Sequence, residues 1–350
     1  MQTDFHFYAV YALARAAGFK ADHALVIAYA SEHTDDAKYE HALDFRNGGR
    51  FQQVLTAHRY LDLRALNKAT CYRIWMPFHF LPGNLGIDFY ERLVTRAASA
   101  VAQRLIDDLL VSSSRPYLLH RLGVLLHCYA DTWSHQNFLG LMRERMNAVK
   151  RLKVRGVSTP AVQAMLRGLR RRIKEYAVPR LGHAQAGSIP DEPYRRWSYT
   201  DHSGTRFEIS NMERALDAAM HCHQVLLKAL GAFPAYSQAK PLPWHDLAAT
   251  FGRLFGLEAD LAQRIASWRD AVAGGAFGWK TEKQDKDVRY DDRQWFKDAV
   301  SVEKTAEGKE SYERKPGFES SDWKYFHDAA AFHRFTVLHE VLPEHGMICG

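Results

Sequence analysis

Apolar residues recur at three- and four-residue spacing along most of this 350-residue chain, which is the pattern of helices that bury one face. Alternation of β-branched and aromatic residues with period two is almost absent, and no Asn-Gly or Asp-Gly turn joins two alternating runs. The sequence therefore predicts an all-α, multi-helix fold with long loops. The runs that predict helices are Ala9 to Ala17, Ala24 to Ala30, Leu93 to Leu110, Tyr117 to Trp133, Val162 to Tyr176, Met212 to Leu230, Leu247 to Trp268 and Phe326 to Val341.

The breaks between these runs are short and none of them separates two regions of different composition. Gly, Pro and Asn cluster at 47–49, 81–84, 182–193 and 231–243. No internal repeat is visible, so a single helical domain over residues 1–350 is expected. Residues 272–317 turn polar and charged around isolated aromatic side chains, which predicts a polar insertion or a lid over the rest of the domain.

Two features bear on where the chain resides. No stretch approaches the roughly 20 uninterrupted apolar residues that a membrane-spanning helix needs, so an integral membrane protein is excluded. The first residues include Asp4 and His6 where a secretory signal would have Lys or Arg followed by an apolar run. We therefore expect a cytoplasmic protein, or one exported without a cleavable signal.

Histidine is the residue whose abundance is unusual. The chain has 18 histidines, whereas about eight would be ordinary for this length. The four cysteines are scattered without a Cys-x-x-Cys pair, so we expect free thiols rather than disulfides or a thiolate zinc site. Because neutral imidazole is the commonest metal ligand among side chains, the excess points to a metal site.

The segment that carries the strongest metal-binding pattern is His127-Cys-Tyr-Ala-Asp131-Thr-Trp-Ser-His135. On a helix, steps of four residues place His127, Asp131 and His135 within a wedge of about 80° on one face. The two histidines are about 12 Å apart along the axis, too far to share one ion easily. The spacing therefore suits a cluster of two or three metal ions with Asp131 as a bridging carboxylate.

Other histidines and acids lie at predicted helix ends and loops, where ligands from different elements can converge. In chain order they are His6, the pair Asp35 and Asp36 at the end of the second helix, His79 at a helix-to-loop junction, His183 and Asp191.

This order of residues resembles that of the zinc-dependent phospholipase C and single-strand nuclease superfamily, over roughly residues 1–195. The whole chain also resembles an uncharacterised bacterial family with the same opening and the His-x-Tyr-Ala-Asp-Thr-x-x-His signature. Two spacings differ from the superfamily. His135 follows Asp131 by fewer residues, and Asp191 lies eight residues after His183 rather than one helical turn after it.

The superfamily resemblance implies a helical metal-site core over residues 1–195 that binds two or three Zn²⁺ ions. It implies one ion on Asp35 or Asp36, His79, His127 and Asp131, and a second on His135, His183 and Asp191. A third would lie on His6, Asp131 and the N-terminus. Such ions hydrolyse phosphoesters, so the expected substrate is a phospholipid or a nucleic acid, and Asp35, Asp36 or Asp131 would orient or deprotonate the attacking water.

Positive charge is concentrated in one part of the chain. The net charge is +7, and residues 141–180 alone carry +10. Arg167, Arg170, Arg171 and Lys174 have the spacing of one basic helix face, which predicts contact with a polyanion. An alternative function is therefore a non-catalytic helical protein that docks a polyanion through residues 141–180.

A second enzymatic alternative, a His-Asp metal phosphohydrolase, rests only on the dipeptides His245-Asp246 and His327-Asp328. The substrate and the oligomeric state stay open at this stage.

Overall fold

The computed structural model describes residues 1–57, 67–111, 115–172, 180–304 and 308–350, and helices form most of the core. The helices of the described residues are α1 (Val10–Ala17), α2 (Ala21–Asp36), α3 (Lys68–Thr70), α4 (Met76–Phe78), α5 (Phe89–Arg92), α6 (Ala100–Val111), α7 (Leu118–Ser134), α8 (Thr159–Arg172), α9 (Asn211–Ala232), α10 (Trp244–Phe255), α11 (Leu261–Ala273), α12 (Lys283–Lys286), α13 (Gln294–Ala299), α14 (Asp322–Phe335) and α15 (Leu342–Glu344). Segments Asp4–Ala9, Cys71–Trp75 and Thr336–Val341 are π-helical and continue into the helices that follow them.

The prediction of an all-α fold is wrong, because 12% of the residues lie in strands beside 54% in helices. The described strands form three small antiparallel sheets, and the fold is mixed α/β. Hairpins β1–β2 and β6–β7 form two of them, and the third has the order β3-β4-β5. The strands are β1 (Ala42–Asp44), β2 (Arg50–Gln52), β3 (Lys150–Val154), β4 (Arg196–Thr200), β5 (Arg206–Ser210), β6 (Val300–Lys304) and β7 (Glu310–Arg314).

Two of the predicted helical runs are interrupted. The run Leu93 to Leu110 contains only α6, since α5 ends at Arg92 and residues 93–99 form turns. The run Leu247 to Trp268 is divided between α10 and α11, and Asp260 caps the second by accepting a hydrogen bond from the Gln263 amide. Apolar spacing continues through both breaks because the turns are buried against the same core.

Helices α2 and α7 pack closely and form the support of the candidate site. A Cβ at Gly123, in the middle of α7, would lie 2.6 Å from the Ala30 Cβ and inside van der Waals contact of the Ile27 carbonyl oxygen. The absence of a side chain at Gly123 therefore lets the two helices approach. This approach brings the end of α2, with Asp35, beside the part of α7 that carries His127.

Residues 272–317, predicted as a polar insertion or lid, contain α12, α13 and the β6–β7 hairpin among the residues described. Trp295 and Val300 belong to the core. The buried Asp285 accepts hydrogen bonds from the Tyr11 hydroxyl (2.8 Å) and from Arg15 Nε (3.0 Å). These contacts attach the segment to α1.

Little of the predicted basic helix face is open to inspection. Arg167 is exposed on α8, the side chains of Arg170 and Arg171 are not described, and Lys174 lies outside the described residues. The four cysteines are free thiols, as predicted. None of the helices in the described ranges combines the length and the apolar character needed to span a bilayer.

His327, buried in α14, gives a prediction about acid stability. Burial, reinforced by His33, lowers the pKa of His327 to about 3 although its ring nitrogen accepts a hydrogen bond from the Val54 amide. The unfolded chain, with a pKa near 6.5, takes up this proton first, so stability falls as the pH drops from about 6.5 towards 3. The slope from this group is at most about 1.4 kcal/mol per pH unit.

We expect urea unfolding of His327→Asn to show a shallower loss of stability over this pH range than the unsubstituted protein. The Asn oxygen can still accept the Val54 hydrogen bond. His245→Asn, at a side chain that is 81% exposed, serves as the control and should leave the slope unchanged. Equal slopes in all three proteins would contradict the assignment.

Candidate metal centre

Four parts of the chain bring histidines and acids together at one end of the α2–α7 pair. The π-helical segment Asp4–Ala9 carries His6, and the last turn of α2 carries Asp35. His79 follows α4 directly, and α7 carries the 127–135 pattern. His6, His79, His127 and Asp131 are all less than 5% exposed. Buried polar groups at this density need partners, which can be each other, a metal ion or both.

The first site consists of Asp35 Oδ1, His79 Nδ1, His127 Nε2 and Asp131 Oδ2. The two imidazole nitrogens are 3.2 Å apart, and Asp35 Oδ1 lies 3.6 Å from His79 Nδ1 and 3.8 Å from His127 Nε2. Asp131 Oδ2 lies 3.3 Å and 3.4 Å from the same two nitrogens. Tetrahedral ligands about 2.0–2.1 Å from a zinc ion are about 3.3–3.4 Å apart. The spacings of these four atoms are close to those of a tetrahedral zinc site.

The other oxygen of Asp131 faces the third site, formed with His6. Asp131 Oδ1 is 3.1 Å from His6 Nε2 and 2.7 Å from the amino group of Met1. His127 also lies within reach of this site, and its ring stacks on that of His6 at 3.9 Å between centroids. Since one nitrogen binds one ion, we assign His127 Nε2 to the first site. Asp131 thus has the position of a carboxylate that bridges two sites.

The second site consists of His135, His183 and Asp191. Asp191 Oδ1 lies 3.5 Å from His135 Nε2, and Asp191 Oδ2 lies 3.6 Å from His183 Nε2. Two short 3₁₀ turns, Ala184–Ala186 and Ile189–Asp191, fold the chain back after His183. They explain how a carboxylate eight residues later can reach the same site. Gly182, at φ +50°, passes over the Phe80 ring, where a Cβ would lie 2.6 Å from a ring carbon.

Asp36 is the one predicted site residue that the structure does not bring into the cluster. Its carboxylate accepts hydrogen bonds from Lys38 Nζ (2.7 Å) and from the Tyr290 hydroxyl (2.9 Å). Adjacent residues of a helix point about 100° apart, so only one of the pair can face the α2–α7 contact. That residue is Asp35.

Backbone carbonyl groups set the orientation of three of the rings. His79 Nε2 donates to the Thr56 carbonyl at 2.9 Å, His135 Nδ1 to the His79 carbonyl at 2.6 Å, and His183 Nδ1 to the Gly187 carbonyl at 3.2 Å. In each ring the other nitrogen faces the cluster. Hydrogen bonds of this kind fix the tautomer of metal-binding histidines. The sequence gave no sign of these carbonyl partners.

The electrostatic environment favours the ionised form of the carboxylates. Burial by itself raises the pKa of Asp131, but His135, the Met1 amino group and His127 outweigh it and hold that pKa well below its usual range. The Asp35 pKa is lowered by His127 and His79 against the same effect of burial. The Asp191 pKa is lowered by the Met1 amino group and His183, again against burial.

The imidazoles of two sites are held in the neutral form. Burial lowers the pKa of His6 to about 3 and that of His183 to about 4, with nearby positive groups adding to the effect for His6. The pKa of His79 is instead raised, because its hydrogen bond to Asp131 and the charge of Asp35 outweigh burial. Ionised carboxylates and neutral imidazoles are the protonation states that bind metal ions.

The remaining metal-binding candidates of the sequence do not join a site. Neither His245-Asp246 nor His327-Asp328 belongs to any of the His/Asp groups found within the described ranges. His245 and Asp246 are exposed, and Asp328 accepts a hydrogen bond from Lys324 Nζ at 2.7 Å. The His-Asp phosphohydrolase pattern therefore has no structural counterpart at these dipeptides.

The fold and the site define a mixed α/β protein with a buried His/Asp cluster that can hold metal ions. The chain belongs to DUF6765, a family of unknown function, which matches residues 1–341. No curated protein and no solved structure matches the chain. The resemblance to the zinc-dependent phospholipase C and nuclease superfamily is not tested by these comparisons and stays a prediction.

Proposed function

We propose that this protein is a zinc-dependent phosphoester hydrolase that binds two or three Zn²⁺ ions at the His/Asp cluster. The observation that supports the proposal best is the near-tetrahedral spacing of the four donor atoms of the first site, next to a carboxylate shared with the third. Imidazole and carboxylate donors without thiolates suit catalytic zinc. Zinc ions close together lower the pKa of bound water and stabilise the oxygens that attack and leave a phosphoryl centre.

Asp35 is the acid that we propose as the general base. Its side chain is 38% exposed, whereas Asp131 is 1% and Asp191 16% exposed, so Asp35 lies where substrate and water can approach. Both oxygens of Asp131 are engaged by the first and third sites. Asp35 would accept a proton from water as its oxygen bonds to phosphorus. The ester P–O bond breaks, and the leaving oxygen takes a proton from solvent.

The substrate that we propose is a polyanion, either a nucleic acid or a phospholipid surface. The outer side of the β3-β4-β5 sheet supports this choice, because Lys153, Arg155, Arg196 and Arg206 line a shallow depression of about 550 Å³. Glu208 and Glu213 supply fewer negative charges there. Such a surface would raise the local concentration of substrate in a salt-dependent way. A docking protein without catalysis would use the same surface but would need no bound zinc.

The neighbouring acids Asp35 and Asp36 provide a matched test. We expect Asp35→Asn to lower zinc content and to reduce hydrolysis of bis(p-nitrophenyl) phosphate by about 100-fold or more, because it removes a donor of the first site. Asp36→Asn should retain both, since Asp36 contacts only Lys38 and Tyr290 among the groups described here. The measurements are elemental analysis of protein purified without added metal, and initial rates.

Two results would overturn the proposal. One is purified protein that holds no stoichiometric zinc and keeps its full thermal stability in the presence of a chelator. The other is full zinc content with no phosphoester hydrolysis on nucleic acid, phospholipid and small-diester substrates. If Asp36→Asn rather than Asp35→Asn lost zinc, the assignment of the ligand would be wrong.

A further inference from the structure

Arg214 lies beside the candidate metal centre and belongs to none of its sites. It is in the first turn of α9 and lines a small pocket together with Met1, Ser134 and Asp191. The pocket has a volume of about 10 Å³, which is room for roughly one oxygen atom or water molecule. Asp191 is a donor of the second site. The guanidinium therefore borders the same space as the cluster.

The guanidinium of Arg214 is short of partners. Its Nη1 atom is buried and has no hydrogen-bond acceptor in the part of the chain that the structure describes. Burial lowers the pKa of Arg214 to about 10, slightly offset by Tyr199, so the group keeps its charge at neutral pH. A buried charge without a partner costs free energy, and a native structure that retains one calls for an explanation.

The position of Arg214 is fixed by its neighbour Asn211. The Asn211 side chain donates to the carbonyl groups of Ile189 (2.6 Å) and Glu192 (2.9 Å) and accepts from Trp197 Nε1 (2.9 Å). These bonds tie the first turn of α9 to the segment that carries Asp191. Arg214 is consequently held at a set place relative to the second site, as a ligand-binding group must be.

We propose that Arg214 binds one anionic oxygen of the phosphoryl group while the rest of that group lies at the cluster. This inference rests on the proposed hydrolase function and adds a substrate-binding residue to it. An oxygen that enters the pocket would give Nη1 the acceptor it lacks. The carboxylates nearby do not fill this role, because Asp131 and Asp191 are already engaged by imidazoles and by the Met1 amino group.

The probe for this inference is inorganic phosphate, titrated calorimetrically into the zinc-loaded protein. We expect Arg214→Met to weaken phosphate binding by about 10- to 100-fold, since hydrogen bonds to charged groups are among the stronger ones. Arg214→Lys should lose less, because it keeps the charge but not the planar donor geometry. Arg253→Met, at an exposed arginine on α10, is the matched control and should bind phosphate normally.

Stability separates a binding role from a structural one. Loss of an unpaired buried charge should leave the melting temperature of Arg214→Met unchanged or higher, whereas a structural arginine would lower it. Zinc content should stay the same in all variants.

The outcomes distinguish this inference from the hydrolase proposal. If the protein hydrolyses phosphodiesters but Arg214→Met binds phosphate like the unsubstituted protein, the inference is overturned and the function stands. If phosphate binding requires Arg214 but no hydrolysis occurs, an anion site remains and the proposed function fails. Absence of phosphate binding by the unsubstituted zinc-loaded protein would also overturn the inference.

Discussion

Asp131→Asn should remove at least one zinc ion per chain and reduce phosphodiester hydrolysis by roughly 100-fold or more. The substitution keeps the size of the side chain but replaces one carboxylate oxygen by an NH₂ group, which cannot bind a cation. In the structure Asp131 Oδ1 faces His6 and Oδ2 faces His79 and His127. Whichever way the amide turns, one of the two sites loses its oxygen donor. The effect should exceed that of a ligand belonging to one site only.

Elemental analysis and initial rates measured on the same preparation test this expectation. Asp107→Asn is the matched control, because Asp107 lies on α6 and its carboxylate contacts the exposed Gln103 side chain. That variant should keep its metal and its activity. Unchanged zinc content together with unchanged turnover in Asp131→Asn would remove Asp131 from the bridging position and would leave the first and third sites without a link.

The cluster was predictable from the sequence because its ligands lie at positions that helical geometry or chain order constrains. The 127–135 pattern is a property of one helix face, so no tertiary information was needed to place His127, Asp131 and His135 together. The choice between Asp35 and Asp36 was different. It depends on how α2 is rotated against α7, and that rotation is set by packing around Gly123 rather than by the acidic pair itself.

The strands were missed although two of them carry a recognisable signal. In β4 the aromatic residues Trp197 and Tyr199 alternate with polar ones, and β5 repeats the pattern with Phe207 and Ile209. The register pairs Trp197 with Ile209 and Tyr199 with Phe207, so one face of the hairpin is apolar. Strands of five residues are too short to stand out beside long helical runs, and β1 and β2 have only three residues each.

Arg214 could not have been selected from the sequence at all. It is one of many arginines, and what distinguishes it is the absence of an acceptor for Nη1 within the described residues. That property appears only when the loop carrying Asp191, the Met1 amino group and the start of α9 are placed together. The basic residues predicted to contact a polyanion were chosen by local charge density, which identifies attraction over a distance but not a specific contact.

Gly123→Ala should cost the protein its metal without changing any ligand. The added methyl group would meet the backbone of α2 at Ile27 and the Ala30 side chain, and neither can withdraw without moving the helix. Overpacking of this kind costs about 1–3 kcal/mol, and here the strain also separates Asp35 on α2 from His79 and His127. We therefore expect a lower melting temperature, reduced zinc content and a loss of hydrolysis that follows the zinc content.

The control for this substitution is Gly231→Ala near the end of α9, where an added Cβ would meet no heavy atom within 4 Å. A helical glycine in open space should tolerate alanine and gain about 0.5–1 kcal/mol of stability. Zinc titration followed by thermal unfolding of both variants separates a general effect of Gly→Ala from one on the helix contact. If Gly123→Ala bound zinc as tightly as Gly231→Ala, the first site would not depend on the close approach of α2 and α7.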